Sequence, residues 1–186
     1  MTEADLFDLI DPILVEMGSK PEDGEEYREP ALDVLRYYRR PVRLHWFPVL
    51  GQALSVVAVV RQPFDLAGTA EGHRAMLNRL SLAANGRFPF APWRASGERA
   101  VALAMTVIQL TPEPIGPEDD AILHAAFEKI PKRRAVPLGV LRVNLGQEAM
   151  AFAISGGPGN LFPEPVALAD ALTPKLRRYV PLIEFE

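Results

Sequence analysis

The feature that most constrains this chain is an apolar run, Ala53–Val60, in which four of the eight residues are valine. β-Branched side chains favour the extended backbone of a strand. Because the run is apolar at nearly every position and does not alternate, it predicts a central strand that is buried on both faces of a sheet. It is far shorter than the ~20 residues of a membrane-spanning helix. We therefore expect a soluble protein with no membrane association.

Strand-like runs occur in three pairs along the sequence, and each pair is separated by a short segment. The pairs are Val42–Val49 with Ala53–Val60, Phe88–Arg94 with Ala100–Leu110, and Val136–Leu145 with Ala149–Ser155. Short connections favour antiparallel pairing, and helices between the pairs have to cover at least one face of the sheet. The predicted fold class is α+β, with an antiparallel sheet built from successive hairpins and the intervening helices packed on it.

Helices are predicted from capping residues and from apolar residues at helical spacing. Thr2 and Asp5 have the spacing of a capping box for a first helix, and Thr69 is a candidate N-cap for a later one. Further predicted helices are Pro30–Arg40, Pro117–Ile130 and a segment that begins near Pro165. Proline suits the first turn of a helix, where its missing amide proton has no partner in any case.

Basic residues form three small clusters, each at a predicted helix C-terminus, where cations oppose the helix dipole. The clusters are Arg36, Arg39 and Arg40; Lys132, Arg133 and Arg134; and Arg177 and Arg178. Apart from Tyr37 and Tyr38 in the first cluster, none is interleaved with aromatic residues, and the sequence pI is about 5.5. We therefore predict no nucleic-acid partner.

The first 33 residues are acidic, with 11 Asp and Glu against two basic residues. We interpret residues 1–29 as an acidic N-terminal helix followed by a loop or linker over 18–29, and residues 30–186 as a single α+β domain. The acidic arm either screens the mildly basic remainder of the chain or only keeps it in solution. The N-terminus lacks the basic start of a signal peptide, which predicts a cytoplasmic protein.

A short sequence motif occurs twice, as Leu50-Gly51-Gln52 and as Leu145-Gly146-Gln147. Both copies lie between two strand-like runs and before a helix. The motif indicates either an internal ββα repeat over 42–85 and 136–180 or a coincidence, because turns favour glycine anyway.

Residue types that usually carry catalysis are scarce. The chain has no cysteine, which removes disulfides, thiolate metal sites and cysteine nucleophiles. The three histidines, His45, His73 and His124, do not have the spacing of a metal motif. No Gly-x-Ser-x-Gly elbow is present either. We predict no metal and no cofactor, and the pattern favours a protein that is not an enzyme.

A glycine-rich loop, residues 156–160, is the segment that most resembles a ligand site. It contains Gly156, Gly157, Gly159 and Asn160, and it follows an apolar strand and precedes a helix. Its backbone amides could therefore hold a phosphate. It lacks the Lys-Ser/Thr of a P-loop, so the alternative is a plain flexible loop.

Three aromatic residues, Phe88, Phe90 and Trp93, alternate with Pro89 and Pro92. Prolines withhold amide donors, which places this predicted strand at a sheet edge. An edge that carries aromatic side chains could bind a protein partner. Alternatively, the aromatic residues fill the core and the prolines prevent edge-to-edge aggregation.

The stretch from about Ala31 to Ile130 resembles the YbjN family, which shares its fold with type III secretion chaperones. The resemblance rests on the strand pair ending at Val60, the helix segment Met76-Leu77-Asn78-Arg79-Leu80, the Phe88 and Phe90 entry into a hairpin, the strand Val101–Leu110 and the helix Pro117–Ile130. It implies a non-enzymatic regulator or chaperone-like protein that is often dimeric. Residues 131–186 extend past the family pattern.

The leading function prediction is a cytoplasmic bacterial regulator or chaperone-like protein that binds a protein partner or itself, without catalysis. It rests on the missing catalytic motifs, the aromatic edge and the resemblance. The alternative is a small-molecule or nucleotide-binding enzyme that uses the loop 156–160.

Overall fold

Helices and strands share the chain, as predicted from the sequence. The computed structural model describes residues 1–27, 32–44, 51–63, 65–88, 99–127, 135–155 and 161–178. These ranges hold four helices and one seven-stranded sheet. The elements are α1 Glu3–Glu16, β1 Lys20–Tyr27, β2 Leu32–Leu44, β3 Gly51–Arg61, α2 Ala70–Arg87, β4 Arg99–Leu110, α3 Asp119–Phe127, β5 Ala135–Asn144, β6 Ala149–Ile154, α4 Glu164–Leu172 and β7 Arg177–Arg178.

The strands lie in the sheet in the order in which they occur in the chain, from β1 to β7. β1, β2 and β3 are antiparallel neighbours, and so are β5 and β6. β3, β4 and β5 are parallel, because α2 and α3 carry the chain back between them, and β7 is parallel to β6. The sheet is therefore mixed, whereas the sequence predicts an antiparallel one.

The prediction of hairpins is confirmed for β5 and β6, which pair antiparallel around Gly146-Gln147. It is wrong for the pair Phe88–Arg94 with Ala100–Leu110. Phe88 is the C-cap of α2, and from Leu103 onward both edges of β4 are occupied by the parallel strands β3 and β5. Residues 89–98 lie outside the described ranges.

Helices cover both faces of the sheet. Buried residues of α2 and α3, such as Leu77 and Leu123, pack with one face of β3 and β4. Buried residues of α1 and α4, such as Ile10 and Leu168, pack with the other face. β6 runs opposite to β5, so a crossover of the same hand places α4 on the face opposite to α2 and α3. The segments 42–85 and 136–180, considered as a repeat, thus have their helices on opposite faces.

β2 occupies the segment that was predicted as the helix Pro30–Arg40, and the helix prediction is wrong. Leu32, Leu35 and Tyr38 recur at a spacing of three, which imitates a helix. The strand is covered on both faces and contains a bulge between Val34 and Arg36. The bulge resets the alternation of inward-facing residues, which removes the period of two by which a strand is recognised. The arginines at 36, 39 and 40 consequently lie on a strand and not at a helix C-terminus.

β1 occupies most of the segment that was predicted as a loop or linker over 18–29, which is also wrong. It is an edge strand, and its sequence Lys-Pro-Glu-Asp-Gly-Glu-Glu-Tyr is almost entirely polar. A charged edge strand with a proline disfavours pairing with other chains. Such a strand also lacks the alternation of apolar and polar residues by which strands are predicted from sequence. Gly24 packs so close to the Val34 carbonyl, at the bulge of β2, that a side chain there would overlap with it.

The N-terminal helix is capped as predicted. The Asp5 amide donates to the Thr2 hydroxyl at 3.2 Å, and the Thr2 amide donates to the Asp5 carboxylate at 2.7 Å. Likewise, the Thr69 hydroxyl caps α2 by accepting from the Gly72 amide at 3.2 Å. α1 buries Leu6, Ile10 and Leu14 completely, among other residues of the sheet core.

Candidate functional site

The carboxyl ends of the three parallel strands meet at one edge of the molecule. β3 ends at Arg61, β4 at Leu110 and β5 at Asn144. The ladder continues past these ends, since the Gln62 amide donates to the Leu110 carbonyl at 2.7 Å. Ligands of proteins with parallel sheets commonly bind outside the carboxyl ends of the strands.

A cavity of about 1040 Å³ lies at this edge. It is lined by the start of α1, the end of β1, the start of β2 and the segments that follow β3, β4 and β5. The lining residues are Glu3, Glu26, Leu32, Asp33, Arg61, Gln62, Pro63, Asp65, Leu110, Thr111, Pro112, Asn144, Leu145 and Gly146. Small-molecule sites usually measure ~300–1,000 Å³, so the cavity is large enough for an organic ligand.

The apolar part of the lining connects the two core clusters. Leu32 belongs to the cluster under α2, whereas Leu110 belongs to the cluster under α1 and the partly buried Leu145 packs against that cluster. Pro63 and Pro112 add further apolar surface. An apolar surface of this kind supplies affinity by releasing water when a ligand covers it.

Asn144 supports the wall of the cavity. Its side-chain Nδ2 donates to the carbonyls of Pro112 at 3.2 Å and Glu113 at 2.8 Å, and its Oδ1 accepts from the Gln147 amide at 2.8 Å. One buried amide thus fixes both the loop after β4 and the turn after β5. These three bonds hold the wall in place.

Charged side chains surround the mouth of the cavity. Arg61 donates to the Glu3 carboxylate at 2.9 and 3.0 Å and to Asp33 at 2.6 Å. These two hydrogen-bonded carboxylates raise the pKa of the Arg61 guanidinium further above its usual range. Asp65 accepts from Arg79 at 2.8 and 3.2 Å, which lowers the pKa of the carboxyl.

A chain of buried amides runs from the cavity into the protein. Gln62, a lining residue, donates through Nε2 to the Leu66 carbonyl at 3.3 Å. Gln109 of β4 donates through Nε2 to the Gln62 side-chain oxygen at 2.8 Å. The Gln109 oxygen is then 3.0 Å from Nδ1 of His73, in the first turn of α2.

This chain determines the tautomer of His73. The Leu66 carbonyl can only accept, so each amide in turn presents its oxygen to the next residue, and His73 carries its proton on Nδ1. Nε2 keeps a lone pair and has no hydrogen-bond partner among the described residues. Burial lowers the pKa of His73 below its ordinary value of 6.5, and the Arg142 guanidinium lowers it further, so the ring is neutral near pH 7.

Arg142 of β5 lies beside this chain and is almost completely buried. It forms ion pairs with Asp119, at the start of α3, and with Glu113 at 2.5 Å. Asp119 also accepts from the Gly116 amide at 2.7 Å. A side chain at Gly68 would lie 2.6 Å from the Glu113 carboxylate, so the loop before α2 packs directly on this ion pair. Buried charges of this kind are compensated within the fold.

Of the residues that were predicted to bind a ligand or a partner, the structure describes Phe88 alone. Gly156, Gly157, Gly159 and Asn160 lie outside the described residues, and so do Phe90 and Trp93. Phe88 belongs to the core and packs edge-on against Tyr37 at 5.4 Å between ring centroids. For Phe88, the structure agrees with the alternative in which the aromatic residues fill the core.

The functional candidates that sequence reasoning missed are Gln62, Gln109 and Arg142. Gln109 and Arg142 are single polar residues between apolar neighbours near the end of a strand, whereas Gln62 follows Arg61 directly after β3. Such an isolated polar residue signals a buried hydrogen-bond network. Of the basic clusters, Arg177 and Arg178 form β7 after the end of α4, and residues 132–134 lie outside the described ranges.

The described ranges contain no group of three or more His, Asp or Glu side chains that could hold a metal ion. His73 is buried, His124 is exposed on α3, and His45 is not among the described residues. None of the helices described has the length and apolar character of a membrane span. Neither models of protein families, nor curated proteins, nor solved structures give a match to this chain.

Proposed function

We propose that the protein binds a small organic molecule in the cavity at the carboxyl ends of β3, β4 and β5. The observation that carries the proposal is the cavity itself, about 1040 Å³ in volume at the edge of a parallel sheet. Its lining combines apolar residues with buried amides and a charged mouth, which is the composition of many ligand sites.

The lining supports binding without a chemical step. Its described titratable groups are four carboxylates and Arg61, and Arg61 is already engaged by two of them. Thr111 accepts hydrogen bonds from the Glu113 amide at 3.1 Å and Arg142 at 3.5 Å, so its oxygen serves the wall. These groups can orient a ligand by hydrogen bonds and charge.

The proposal combines parts of the two function predictions from the sequence. The small-molecule ligand comes from the alternative prediction, and the absence of catalysis comes from the leading one. Four statements from the sequence stay predictions: the function as a protein-binding regulator or chaperone-like protein, the cytoplasmic location, the dimeric state and the resemblance to the YbjN family. The glycine-rich loop 156–160 stays a prediction as well.

A titration with Nile red, a neutral apolar dye, tests the proposal. We expect its emission to rise on binding to the native protein. The variant Gly146→Trp adds bulk at the cavity wall, and the backbone tolerates it, because a Cβ there contacts only the Asn144 oxygen, at 3.5 Å. It should therefore fold and abolish the rise.

The matched control is Gly86→Trp, the same substitution on the exposed side of α2, where a Cβ meets nothing within 4 Å. Circular dichroism establishes that both variants fold. Gly86→Trp should bind the dye like the native protein. Absence of dye binding by the native protein, or equal binding by Gly146→Trp, contradicts the proposal.

A further inference from the structure

The charge of the cavity mouth is strongly unbalanced. Four lining residues are carboxylates, Glu3, Glu26, Asp33 and Asp65, and one is a guanidinium, Arg61, which leaves a net charge of minus three. Arg79, the partner of Asp65, lies outside the lining and reduces this to minus two. The potential inside an apolar cavity with such a mouth favours cations.

The strand register concentrates this charge in one row. Glu26 of β1 lies directly opposite Asp33 of β2, and Asp33 lies directly opposite Arg61 of β3. Residues that are directly opposite on neighbouring strands point to the same side of the sheet. The row therefore reads negative, negative, positive from the edge of the sheet inward.

Like charges directly opposite each other are unfavourable in a sheet. Arg61 compensates Asp33 at 2.6 Å, but it also binds Glu3. Glu26 has no ion pair with any other described residue and is exposed. Within the described part of the chain, one carboxylate of the row thus remains uncompensated at the mouth of an apolar cavity.

We propose that the ligand is an organic cation, an amine or quaternary ammonium with an apolar body. The inference rests on the proposed function, because it concerns the same cavity. The apolar body covers the leucines and prolines of the lining, and the cation compensates the row that contains Glu26 and Asp33. Among the described lining residues, a carboxylate or phosphate ligand has no free cation to meet, since Arg61 already serves two carboxylates.

Three ligands with one alkyl chain and different charge test this inference: octylammonium, octanol and octanoate. Each is titrated against Nile red bound to the native protein at low salt. We expect octylammonium to compete at concentrations at least about tenfold lower than octanoate, with octanol between them. The preference should shrink as salt rises, because the charges at the mouth are exposed.

Glu26→Gln separates charge from shape. It should weaken octylammonium about threefold or more and leave octanol and Nile red unchanged, since one exposed charge pair contributes up to about 1 kcal/mol. The matched control is Glu16→Gln. Glu16 is an exposed carboxylate at the end of α1 opposite to Glu3, about 20 Å from Glu3 by helix rise. It should leave all three ligands unchanged.

The outcomes distinguish the two proposals. If Nile red binds but octanoate or octanol competes as well as octylammonium, the cation inference fails and the cavity remains a ligand site. It also fails if Glu26→Gln leaves the octylammonium affinity unchanged. If Nile red does not bind at all, the proposed function and the inference both fail.

Discussion

The two faces of the sheet are built from the same central strands but differ in what those strands bury. On the α1–α4 face, β4 and β5 contribute Ile108 and Leu141 to an apolar cluster. On the α2–α3 face, the residues next to them, Gln109 and Arg142, are equally buried but polar. These two are register partners in the parallel pair.

Two ion pairs of the α1–α4 face lie on β2, away from the parallel strands. Asp11 of α1 pairs with Arg36 at 2.8 Å, and Glu164 of α4 pairs with Arg40 at 2.7 Å. Both arginines are on β2. The α2–α3 face instead places its charges and amides on β4 and β5, directly beside the carboxyl ends that border the cavity. The buried amide of β4 and the buried arginine of β5 therefore lie beside the proposed functional edge, whereas ion pairs on β2 attach α1 and α4 to the sheet.

The largest effect should come from Arg142→Leu, which leaves Asp119 buried without its partner. Breaking one side of a buried ion pair typically costs about 3–5 kcal/mol. We expect a loss of this size in the free energy of unfolding, measured with urea. Adding Asp119→Asn to the same chain should recover part of it. A double variant no more stable than Arg142→Leu would contradict this account of the face.

Gln109→Leu should cost about 2 kcal/mol, because it leaves the His73 Nδ1 proton and the Gln62 oxygen without partners. Its neighbour on the other face, Ile108→Val, should cost about 1 kcal/mol from lost packing alone. Nitrogen NMR shifts of His73 distinguish the two, since only Gln109→Leu releases the fixed tautomer. A His73 tautomer that survives Gln109→Leu would show that the amide chain does not set it.

The α2–α3 face should also respond to pH. The folded-state pKa of His73 is lowered below 6.5, so the folded protein binds fewer protons than the unfolded chain. The stability that His73 contributes is complete above pH 6.5, the ordinary pKa of histidine in the unfolded chain. It is lost as the pH falls through the folded pKa, by at most about 1.4 kcal/mol per pH unit.

Unfolding measured from pH 7 downward checks this dependence. His73→Gln should lose stability less steeply than the native protein, whereas Ile10→Val, on the other face, should keep the native slope. Equal slopes for His73→Gln and the native protein would exclude His73 as the source.

The smallest effect has the opposite sign. Glu26→Gln removes a like-charge pair across β1 and β2 and should stabilise the unliganded protein by a few tenths of a kcal/mol. Glu16→Gln provides the reference in the same thermal unfolding series. A loss of stability in Glu26→Gln would mean that Glu26 is compensated already, which would weaken the argument for a cationic ligand.

Local signals in the sequence identify the elements that depend on local interactions. The capping residues Thr2 and Thr69 predict the starts of α1 and α2, and the turn at Gly146 predicts the pairing of β5 with β6. Local signals do not identify β1 and β2, for two different reasons. β1 is polar because it is an edge, and the β2 bulge breaks the period of two.

The site depends on strand order, which no local pattern contains. In the antiparallel sheet predicted from the sequence, the carboxyl ends of β3 and β4 lie at opposite ends of the sheet. The shared carboxyl edge does not form in that arrangement. Only the parallel arrangement brings Gln62, Thr111 and Asn144 together. The isolated polar residues Gln109 and Arg142 are visible in the sequence, but their convergence follows from register.

A backbone amide chemical-shift map recorded during titration with octylammonium tests the central claim most directly. The account predicts that the shifts cluster at the carboxyl edge, at Arg61–Gln62, Leu110–Thr111 and Leu145–Gly146. Amides in the amino half of β4, such as Leu103–Met105, should not move. Shifts centred on those residues, or no shifts where Nile red is displaced, would contradict a ligand site at this edge.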